Sequence, residues 1–460
     1  MGATRELVKW ILEAHYTDLP GETVEFTKGL LLKTATSMII GAREPFGKMV
    51  IRYLSGVGGT AEVGVVGAGF RTSVENASFA NGILAHGTET EDAHFFPNND
   101  AIAGCWIFPA MLTLGEKLLS SGKEIIAASA FSWEAAARMV QAAPGMSIPG
   151  GINCATYFGT AAVAIGAARL LRLSPEHTEN ALSIATTQAS GLVVQVGYDA
   201  HTLEAGHSCR AGLLSAFLAE AGATGIPDIL ERKNGFFAPI WKDGVVDLTK
   251  ITEGLGRPPF DVHNIEFKKY QGCGFMHPSV DALMMLMNEQ SISYEEVERV
   301  EAEVPPYYAQ LCDRPFPESI ALARFSFQFI LGQVLLAGKI DYETFKEEKL
   351  FEPKSREAQS KVKLIINPSL PKADKGGRVT IFKKDGQKLD KYLEAFWGHP
   401  QNPITPEQIR DVLRPYLDAM LIEKQRKRLE DLMLNLEDLA DVRELMNLLT
   451  FFRNPGLCIG

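Results

Sequence analysis

The sequence has no closely spaced cysteines, no excess of basic residues and no long apolar run, and each absence excludes a class of protein. Its six cysteines are scattered and form no C-x-x-C pair, which argues against a structural zinc site and favours a reduced, cytosolic protein. Acidic residues outnumber basic residues 56 to 46, for a formal net charge of −10. Because such a surface repels phosphate backbones, we do not expect nucleic acid as a partner.

Membrane insertion and secretion are also not expected. No apolar run approaches the roughly 20 residues that a membrane-spanning helix needs, and the N-terminal residues have no apolar core typical of a secretory signal. We therefore expect a cytoplasmic protein. With 460 residues, 46% hydrophobic and 22% charged, the chain has a globular composition and enough length for two or three domains.

The N-terminal half of the chain has helical periodicity. Apolar residues recur at the spacing of one helix face, and small residues dominate the faces predicted to be buried, which favours closely packed helices. The predicted helices are residues 6–15, 24–40, 160–173, 178–190 and 209–223.

Strand signals appear after Pro258. The predicted strands are residues 264–267, 297–304, 362–366 and 378–383, with a hairpin turn at 384–386 and helices over 278–288 and 324–336. From Thr405, whose next residue is a proline suited to a first helical turn, the chain is helical again, with a long surface helix over 422–449. We predict a mainly α fold, with a large multihelical domain from residues 1–260 and 398–460 and a smaller inserted α+β domain, residues 261–397.

Segment 81–100 concentrates imidazoles and carboxylates, namely His86, Glu89, Glu91, Asp92 and His94. If the segment begins as a helix, His86 and Glu89 share a face, and a carboxylate beside an imidazole suits proton transfer. A metal site is a second interpretation, although no H-E-x-x-H spacing is present. A solvated acidic turn after a buried helix is a third.

Segment 267–282 places a histidine at the start of a helix. Pro278 suits the first helical position, which puts His277 at the cap and out of the α region. A helix N-terminus can hold a carboxylate and keeps a nearby imidazole neutral, able to act as a base. The alternatives are an ordinary helix entry with exposed lysines, or Cys273 as a nucleophile with a paired base. The substrate-binding candidates of this segment are Lys268, Lys269, Tyr270 and Cys273.

Segment 199–210 supplies His201, His207 and Arg210 just before a helix rich in small residues. An arginine at a helix start is unfavourable for the helix dipole. Arg210 is therefore a candidate carboxylate clamp, with an ordinary surface charge as the alternative.

Together these segments resemble the MmgE/PrpD family, which includes 2-methylcitrate dehydratase, cis-aconitate decarboxylase and iminodisuccinate epimerase. The likeness runs from about residue 7 to residue 449, with its parts in the family's order. The matching stretches are NGILAHGTETEDAH, GTAAVAIGAARLLRLSPEHTENALSIATTQASGL, GHSCRAGLLSAFLAEAGATG followed by ILERKNGFF, KKYQGCGFMHPSVDA, and ARFSFQFILGQVLLAGKID.

The resemblance implies a helical domain built from both chain ends, a smaller domain between them, a homodimer, and an active site in the cleft between the domains. It also implies that the enzyme uses no metal and no organic cofactor. Carried over by motif, His86 and the acidic group 89–92 line the site, as do Lys269 and His277.

The chain departs from the family pattern at several of these positions. Residues 89–92 read Glu-Thr-Glu-Asp where an aspartate, an aromatic residue and two aspartates are usual. Asn99 and Gly150 lie where decarboxylase-like members carry histidines, His201 is the nearest match to a usual lysine, and Phe329 replaces a common tyrosine. These departures disfavour cis-aconitate decarboxylation.

We expect a lyase that eliminates water from a small 2-hydroxy polycarboxylate. The predicted roles are His277 as base or acid, Lys269 and Arg210 as carboxylate binders, and Asp92 with His86 as a proton relay. The elimination needs cationic groups or N–H donors around the carboxylate where negative charge develops.

Three other functions stay open. One is an epimerase or isomerase of a small dicarboxylate, in which a base and an acid flank one stereocentre and His201 replaces the missing lysine as the second group. The others are a decarboxylase of a cis-aconitate-like acid and a binding protein that kept the fold and not the chemistry.

Overall fold

The computed structural model describes residues 2–94, 102–143, 151–240, 245–370 and 376–452. By internal contacts these residues form two units. The first runs from the N-terminus to Val194, from Ala200 to Ile265 and from Thr405 onward, and the second comprises Gln195–Asp199 and Glu266–Ile404. The domain boundaries predicted from the sequence stay a prediction.

Helices dominate the described residues, as the sequence predicted. They are α1 Ala3–Glu13, α2 Gly21–Gly41, α3 Pro45–Val57, α4 Val74–His86, α5 Phe108–Leu118, α6 Gly122–Gln141, α7 Cys154–Leu170, α8 Pro175–Gln188, α9 Asp199–Glu220, α10 Thr249–Thr252, α11 His277–Glu289, α12 Pro306–Cys312, α13 Ile320–Ala323, α14 Phe327–Ala337, α15 Glu348–Phe351, α16 Pro353–Ser360, α17 Pro406–Met420, α18 Glu423–Leu434 and α19 Arg443–Thr450. In the described part of the chain, no helix combines the length and apolar character needed to cross a bilayer.

The strands are few and mostly short. They are β1 Val63–Gly64, β2 Arg71–Thr72, β3 Ala93–His94, β4 Ile265–Glu266, β5 Val297–Val304, β6 Val362–Ile366, β7 Gly377–Lys383 and β8 Lys388–Leu393. A four-stranded sheet in the second unit has the order β6-β5-β7-β8, with β5 parallel to β6 and antiparallel to β7. The mainly α fold with a smaller α+β part is therefore confirmed.

Small residues allow α4 and α9 to cross closely in the first unit, outside the helices that were predicted from the sequence. A Cβ on Gly206 of α9 would lie 2.4 Å from the carbonyl oxygen of Phe79, and a Cβ on Gly82 would lie 2.9 Å from that of Ala205. Only glycine permits backbones to approach this closely. The crossing fixes the C-terminal end of α4, which carries His86, against the start of α9.

In the second unit, α11 packs against β7 and β8 of the sheet. The contact is closest at Gly377, where a Cβ would lie 2.7 Å from the backbone nitrogen of Ser279. Because Ser279 belongs to the first turn of α11, this contact fixes the helix start that carries His277.

Helix α9 begins at Asp199, ten residues before the predicted start at residue 209. The early turns bury His201, Glu204 and Ser208, so their inward face is polar and gives no apolar periodicity. Arg210 therefore lies in the middle of the helix, and its predicted position at a helix start is wrong.

Helix α11 begins at His277, and the predicted cap position of this residue is also wrong. His277 has φ −56° and ψ −43°, in the α region, and the cap is Met276. The proline restriction is overcome because a 3-10 turn, Gly274–Met276, leads directly into the helix.

The single long helix predicted over residues 422–449 is two helices, α18 and α19. The segment between them is held by backbone hydrogen bonds to a distant loop, in which Gly122 donates to Leu439 and Val442 donates to Ser120. These tertiary contacts override the helical pattern.

Strands β5 and β6 match their predicted bounds, whereas β8 was not predicted.

Candidate functional site

The first unit contains a buried cluster of two histidines and three glutamates. Helix α4 ends at His86, and Glu89 then takes a positive φ of 54°, with its N–H donating to the His86 carbonyl at 2.9 Å. One carboxylate oxygen, Glu89 Oε1, lies 3.8 Å from His86 Nε2 and 3.8 Å from His201 Nε2. The two rings meet edge to face, with centroids 4.7 Å apart.

A further carboxylate faces the opposite nitrogen of each imidazole. Glu91 Oε1 lies 3.6 Å from His86 Nδ1, and Glu204 Oε2 lies 3.2 Å from His201 Nδ1. Glu204 is itself held by the Asn153 side-chain amide at 2.6 Å and by the Leu192 N–H at 2.8 Å. Both histidines therefore have a carboxylate at each ring nitrogen.

The cluster is enclosed. His86 is 1% exposed, and Glu89, Glu91, His201 and Glu204 are each below 9%. Trp106 packs against His86 with ring centroids 4.4 Å apart. Low exposure strengthens every electrostatic interaction in the group, and it makes uncompensated charge costly.

The remaining acidic and imidazole groups of segment 81–94 have partners of their own. Asp92, predicted to act with His86, forms an ion pair of 2.7 Å with Lys33, and both side chains are 1% exposed. His94 Nε2 lies 2.5 Å from Asp261 Oδ1. The carboxylates of Glu89 and Glu91 lie within 4 Å of the His86 ring nitrogens. Because both glutamates are buried, the solvated acidic turn is not observed.

The second unit contains a lysine–aspartate pair at the base of α11. Lys269 Nζ donates to Asp281 Oδ2 at 2.6 Å, and the Tyr270 hydroxyl donates to Asp281 Oδ1 at 2.9 Å. The ammonium lies 5.0 Å from the Tyr270 ring centroid and 5.1 Å from that of Trp397. Burial lowers the pKa of Lys269, although Asp281 opposes the shift.

His277 lies on the same face of α11 as Asp281, four residues earlier, and is 2% exposed. Its ring packs against Tyr270 and Phe396, with centroids 5.3 Å and 5.4 Å apart. The structure thus brings together three residues that the sequence singled out, Lys269, Tyr270 and His277.

Other predicted site residues differ in their surroundings. Lys268 and Cys273 are buried, at 6% and 8% exposure, so the alternative of exposed lysines is wrong for this segment. Arg210 stacks over the Phe79 ring at 4.7 Å and lies 3.4 Å from His207 Nδ1. This stacking explains why Arg210 is half-buried, so its position gives no separate support to the predicted role as a carboxylate clamp.

Three of the five departures from the family pattern fall on described residues, and the first of them, segment 89–92, has been placed above. His201, at the usual lysine position, belongs to the histidine–glutamate cluster. Phe329 is fully buried, with its ring 5.9 Å from that of Phe345. Asn99 and Gly150 lie outside the described residues.

Sequence reasoning missed three buried partners. Glu204 and Asp281 follow His201 and His277 by three and four residues on their helices, and that spacing is a usable signal. Lys33 has no such signal, because its helix α2 is buried along most of its length and Asp92 is distant in sequence.

Two trios among the described residues have ligand atoms close enough to hold a metal ion. They are His86, Glu89 and His201, and His86, Glu91 and Cys105, and within each trio one ligand atom per residue lies within 4.8 Å of the others. The histidine–glutamate cluster of the first unit can therefore relay protons or bind a cation. In the second unit, Lys269 can bind an anion beside the imidazole of His277.

Buried titratable groups in such numbers, on a mainly helical fold with a smaller α+β unit, are typical of an enzyme. Comparison with protein families gives a narrower assignment. The MmgE/PrpD N-terminal domain matches residues 5–248, and the MmgE/PrpD C-terminal domain matches residues 270–438. The chain belongs to the MmgE/PrpD family.

Curated relatives include several cis-aconitate decarboxylases. That of Aspergillus terreus is 26% identical over 477 residues, covering 97% of this chain and 96% of the fungal protein. That of Mus musculus is 26% identical over 393 residues, covering 83% of this chain and 79% of the mouse protein. The human enzyme is 26% identical over 387 residues, covering 81% of this chain and 79% of the human protein. These similarities support the assignment of this chain to a family of related lyases.

Proposed function

We propose that this protein is a lyase that eliminates water from a small 2-hydroxy polycarboxylate. The observation that carries the proposal is the buried Lys269–Asp281 pair beside His277. The relatives act, by name, on cis-aconitate, a small polycarboxylate, and an unsaturated acid of this type is what loss of water from a 2-hydroxy acid produces.

In this proposal His277 removes a proton from the carbon next to a substrate carboxylate. The electron pair of that C–H bond forms the double bond, and the hydroxyl group leaves and is protonated to water. The start of α11 carries positive partial charge, which disfavours a second positive charge on the ring and so favours a base.

Lys269 is proposed to stabilise the negative charge that develops on the substrate carboxylate. An ammonium group has three donors, of which one bonds to Asp281 at 2.6 Å. Tyr270 and Trp397 cover the ammonium and exclude water, and the low local dielectric increases the value of each charge–charge contact.

Decarboxylation of a cis-aconitate-like acid is the second candidate, favoured by the names of the relatives. It also builds negative charge beside a carboxylate, and the same lysine would stabilise it. We rank it second because the sequence has Asn99 and Gly150 where decarboxylase-like members carry histidines, and His201 where a lysine is usual. The proposal also includes a cytoplasmic homodimer, for which light scattering should give twice the 50.4 kDa of one chain.

A substrate panel followed by proton NMR tests this proposal. Citrate, 2-methylcitrate and cis-aconitate are incubated with the chain, and we expect the alkene from one of the hydroxy acids, seen as a vinyl proton from citrate or as collapse of the methyl doublet to a singlet from 2-methylcitrate. Loss of CO2 from cis-aconitate alone would favour the second candidate and reject the first.

Two variants locate the chemistry. His277→Asn and Lys269→Met should each lower kcat/KM by about 100-fold or more, with an unchanged circular dichroism spectrum. Lys391→Met is the matched control, because Lys391 pairs with Glu289 in the same unit and has no role in the proposed reaction. Wild-type activity in both His277→Asn and Lys269→Met would reject the site.

A further inference from the structure

We propose that Asp281 is a positioning residue, whose carboxylate holds the Lys269 ammonium and the Tyr270 ring in one arrangement beside the base. The inference rests on the proposed function, and Asp281 acts in it through these two residues, without touching the substrate. Asp281 is 8% exposed and lies in the second turn of α11, one turn after His277. It is a buried acidic group to which the proposed proton transfer assigns no step.

Both carboxylate oxygens of Asp281 accept hydrogen bonds. Oδ2 accepts from Lys269 Nζ at 2.6 Å, and Oδ1 accepts from the Tyr270 hydroxyl at 2.9 Å. The Trp397 N–H makes a third, longer contact, at 3.4 Å from Oδ2. One side chain of α11 therefore holds two consecutive residues of the segment between β4 and α11 and the backbone of the segment after β8.

The bond from Lys269 fixes the cation. A lysine ammonium ends a flexible four-carbon stem, and a short bond to a buried carboxylate restricts it to one place. The rings of Tyr270 and Trp397 cover the ammonium, and both of these residues also bond to Asp281. Because misplacement of a catalytic group by about 1 Å can cost about 100-fold in rate, the restriction should contribute directly to turnover.

The bond from Tyr270 extends the same control to the base. The Tyr270 ring packs against the His277 ring with centroids 5.3 Å apart, and Phe396 packs against His277 at 5.4 Å. A ring that is anchored at its hydroxyl presents a fixed face to the imidazole beside it. Asp281 therefore positions the cation through one oxygen and the base through the other.

Asp281 also favours the charged form of Lys269. Burial lowers the pKa of Lys269, and the carboxylate raises it through its charge and its hydrogen bond. The neighbouring side chains of Lys268, Tyr270 and His277 carry no negative charge at neutral pH. The strands that pack on α11 contribute ion pairs of their own, namely Arg378–Asp390, Lys383–Glu296 and Lys391–Glu289. Loss of the Asp281 charge should therefore make the ammonium easier to deprotonate.

Asp281→Asn tests the positioning role, because the amide keeps the shape of the side chain and removes its charge. With the hydroxy acid that the wild-type chain converts, we expect kcat to fall by about 100-fold and KM to change less. The alkaline fall of kcat/KM should move to lower pH, since the Lys269 pKa loses the contribution that raises it. A purely structural defect would lower activity without moving this part of the profile. Asp390→Asn, at an exposed aspartate paired with Arg378, is the matched control and should change neither quantity.

Tyr270→Phe tests the second oxygen. It keeps the ring and the bond between Lys269 and Asp281, and it removes only the hydroxyl anchor. We expect kcat to fall by about 10-fold, with the alkaline part of the profile at its wild-type position. If Asp281→Asn does not fold by circular dichroism, this variant decides, and a wild-type kcat in Tyr270→Phe would overturn the proposal.

A double-mutant cycle tests the pair without any substrate. Lys269→Met, Asp281→Asn and the double variant are compared with the wild-type chain by denaturant titration, and we expect the double variant to lose less stability than the sum of the two single losses. Additive losses would overturn the proposal, as would wild-type kcat and an unmoved profile in a folded Asp281→Asn protein. If the wild-type chain converts no hydroxy acid, the proposed function fails, and the cycle still decides whether Asp281 holds Lys269.

Discussion

Individual buried charges were the features hardest to predict from the sequence. His277, Lys269 and the acidic segment were recognised because their residue types recur in a known motif. Their partners Asp281 and Glu204 were missed, although each follows its histidine by one helical turn. Lys33 was out of reach, because its pairing with Asp92 depends on the tertiary fold.

The Lys33–Asp92 ion pair should be strongly coupled. Both side chains are 1% exposed, so Lys33→Met leaves a buried carboxylate without this partner. We predict a loss of about 3–5 kcal/mol in the free energy of unfolding, measured by denaturant titration, and partial recovery in Lys33→Met/Asp92→Leu. Lys427→Met removes an exposed pair with Glu423 and should change little. An equally small effect at Lys33 would contradict the assigned burial.

Lys269 should make stability depend on pH in the alkaline range. Because burial lowers its pKa below 10.5, the unfolded chain holds more protons than the folded chain between the lowered value and 10.5. The contribution of Lys269 to the free energy of unfolding therefore increases as pH rises through that window. We predict that the wild-type chain gains stability over Lys269→Met there.

Lys250 provides the opposite control. Its hydrogen bond to Glu253 raises its pKa above 10.5, so its stabilising contribution is present below 10.5 and is lost as pH rises above it. Below 10.5 the difference between wild type and Lys250→Met should stay constant. A flat difference for Lys269→Met over the same range would contradict the lowered pKa.

At the scale of elements, about half of the helices and strands in the described residues were predicted, and the long helices α3, α4, α5 and α6 were not among them. Strands β5 and β6 matched their alternating pattern. Helix α9 began early because its first buried face is polar, and the predicted C-terminal helix was divided by backbone bonds to a distant loop. The periodicity of apolar residues shows neither a buried polar helix face nor a backbone hydrogen bond to a distant loop.

The α4–α9 crossing should be intolerant of any side chain. In Gly206→Ala the new methyl group would lie 2.4 Å from a backbone oxygen of α4, so we predict a loss of about 1–3 kcal/mol in the free energy of unfolding. Gly21→Ala, at the first residue of α2 with no atom within 4 Å of the new Cβ, should cause no loss. Equal stability of the two variants would show that the helices do not cross as described.

At the scale of the whole molecule, the sequence indicated the family, and both family domains match the chain. The reaction could not be predicted with the same certainty, because one fold supports several chemistries that differ in a few side chains. His201, at a position usually held by lysine, is such a side chain, and its Nε2 atom lies 3.8 Å from Glu89 Oε1.

The most direct test of the central claim, proton transfer by His277 at the carbon next to a carboxylate, is deuterium exchange. The chain is incubated in D2O with the hydroxy acid that it converts, and deuterium at that carbon is followed by NMR in the hydroxy acid recovered before conversion is complete. We predict incorporation by the wild-type chain and a rate lower by about 100-fold or more in His277→Asn. Exchange at the wild-type rate in a folded His277→Asn protein would contradict the account.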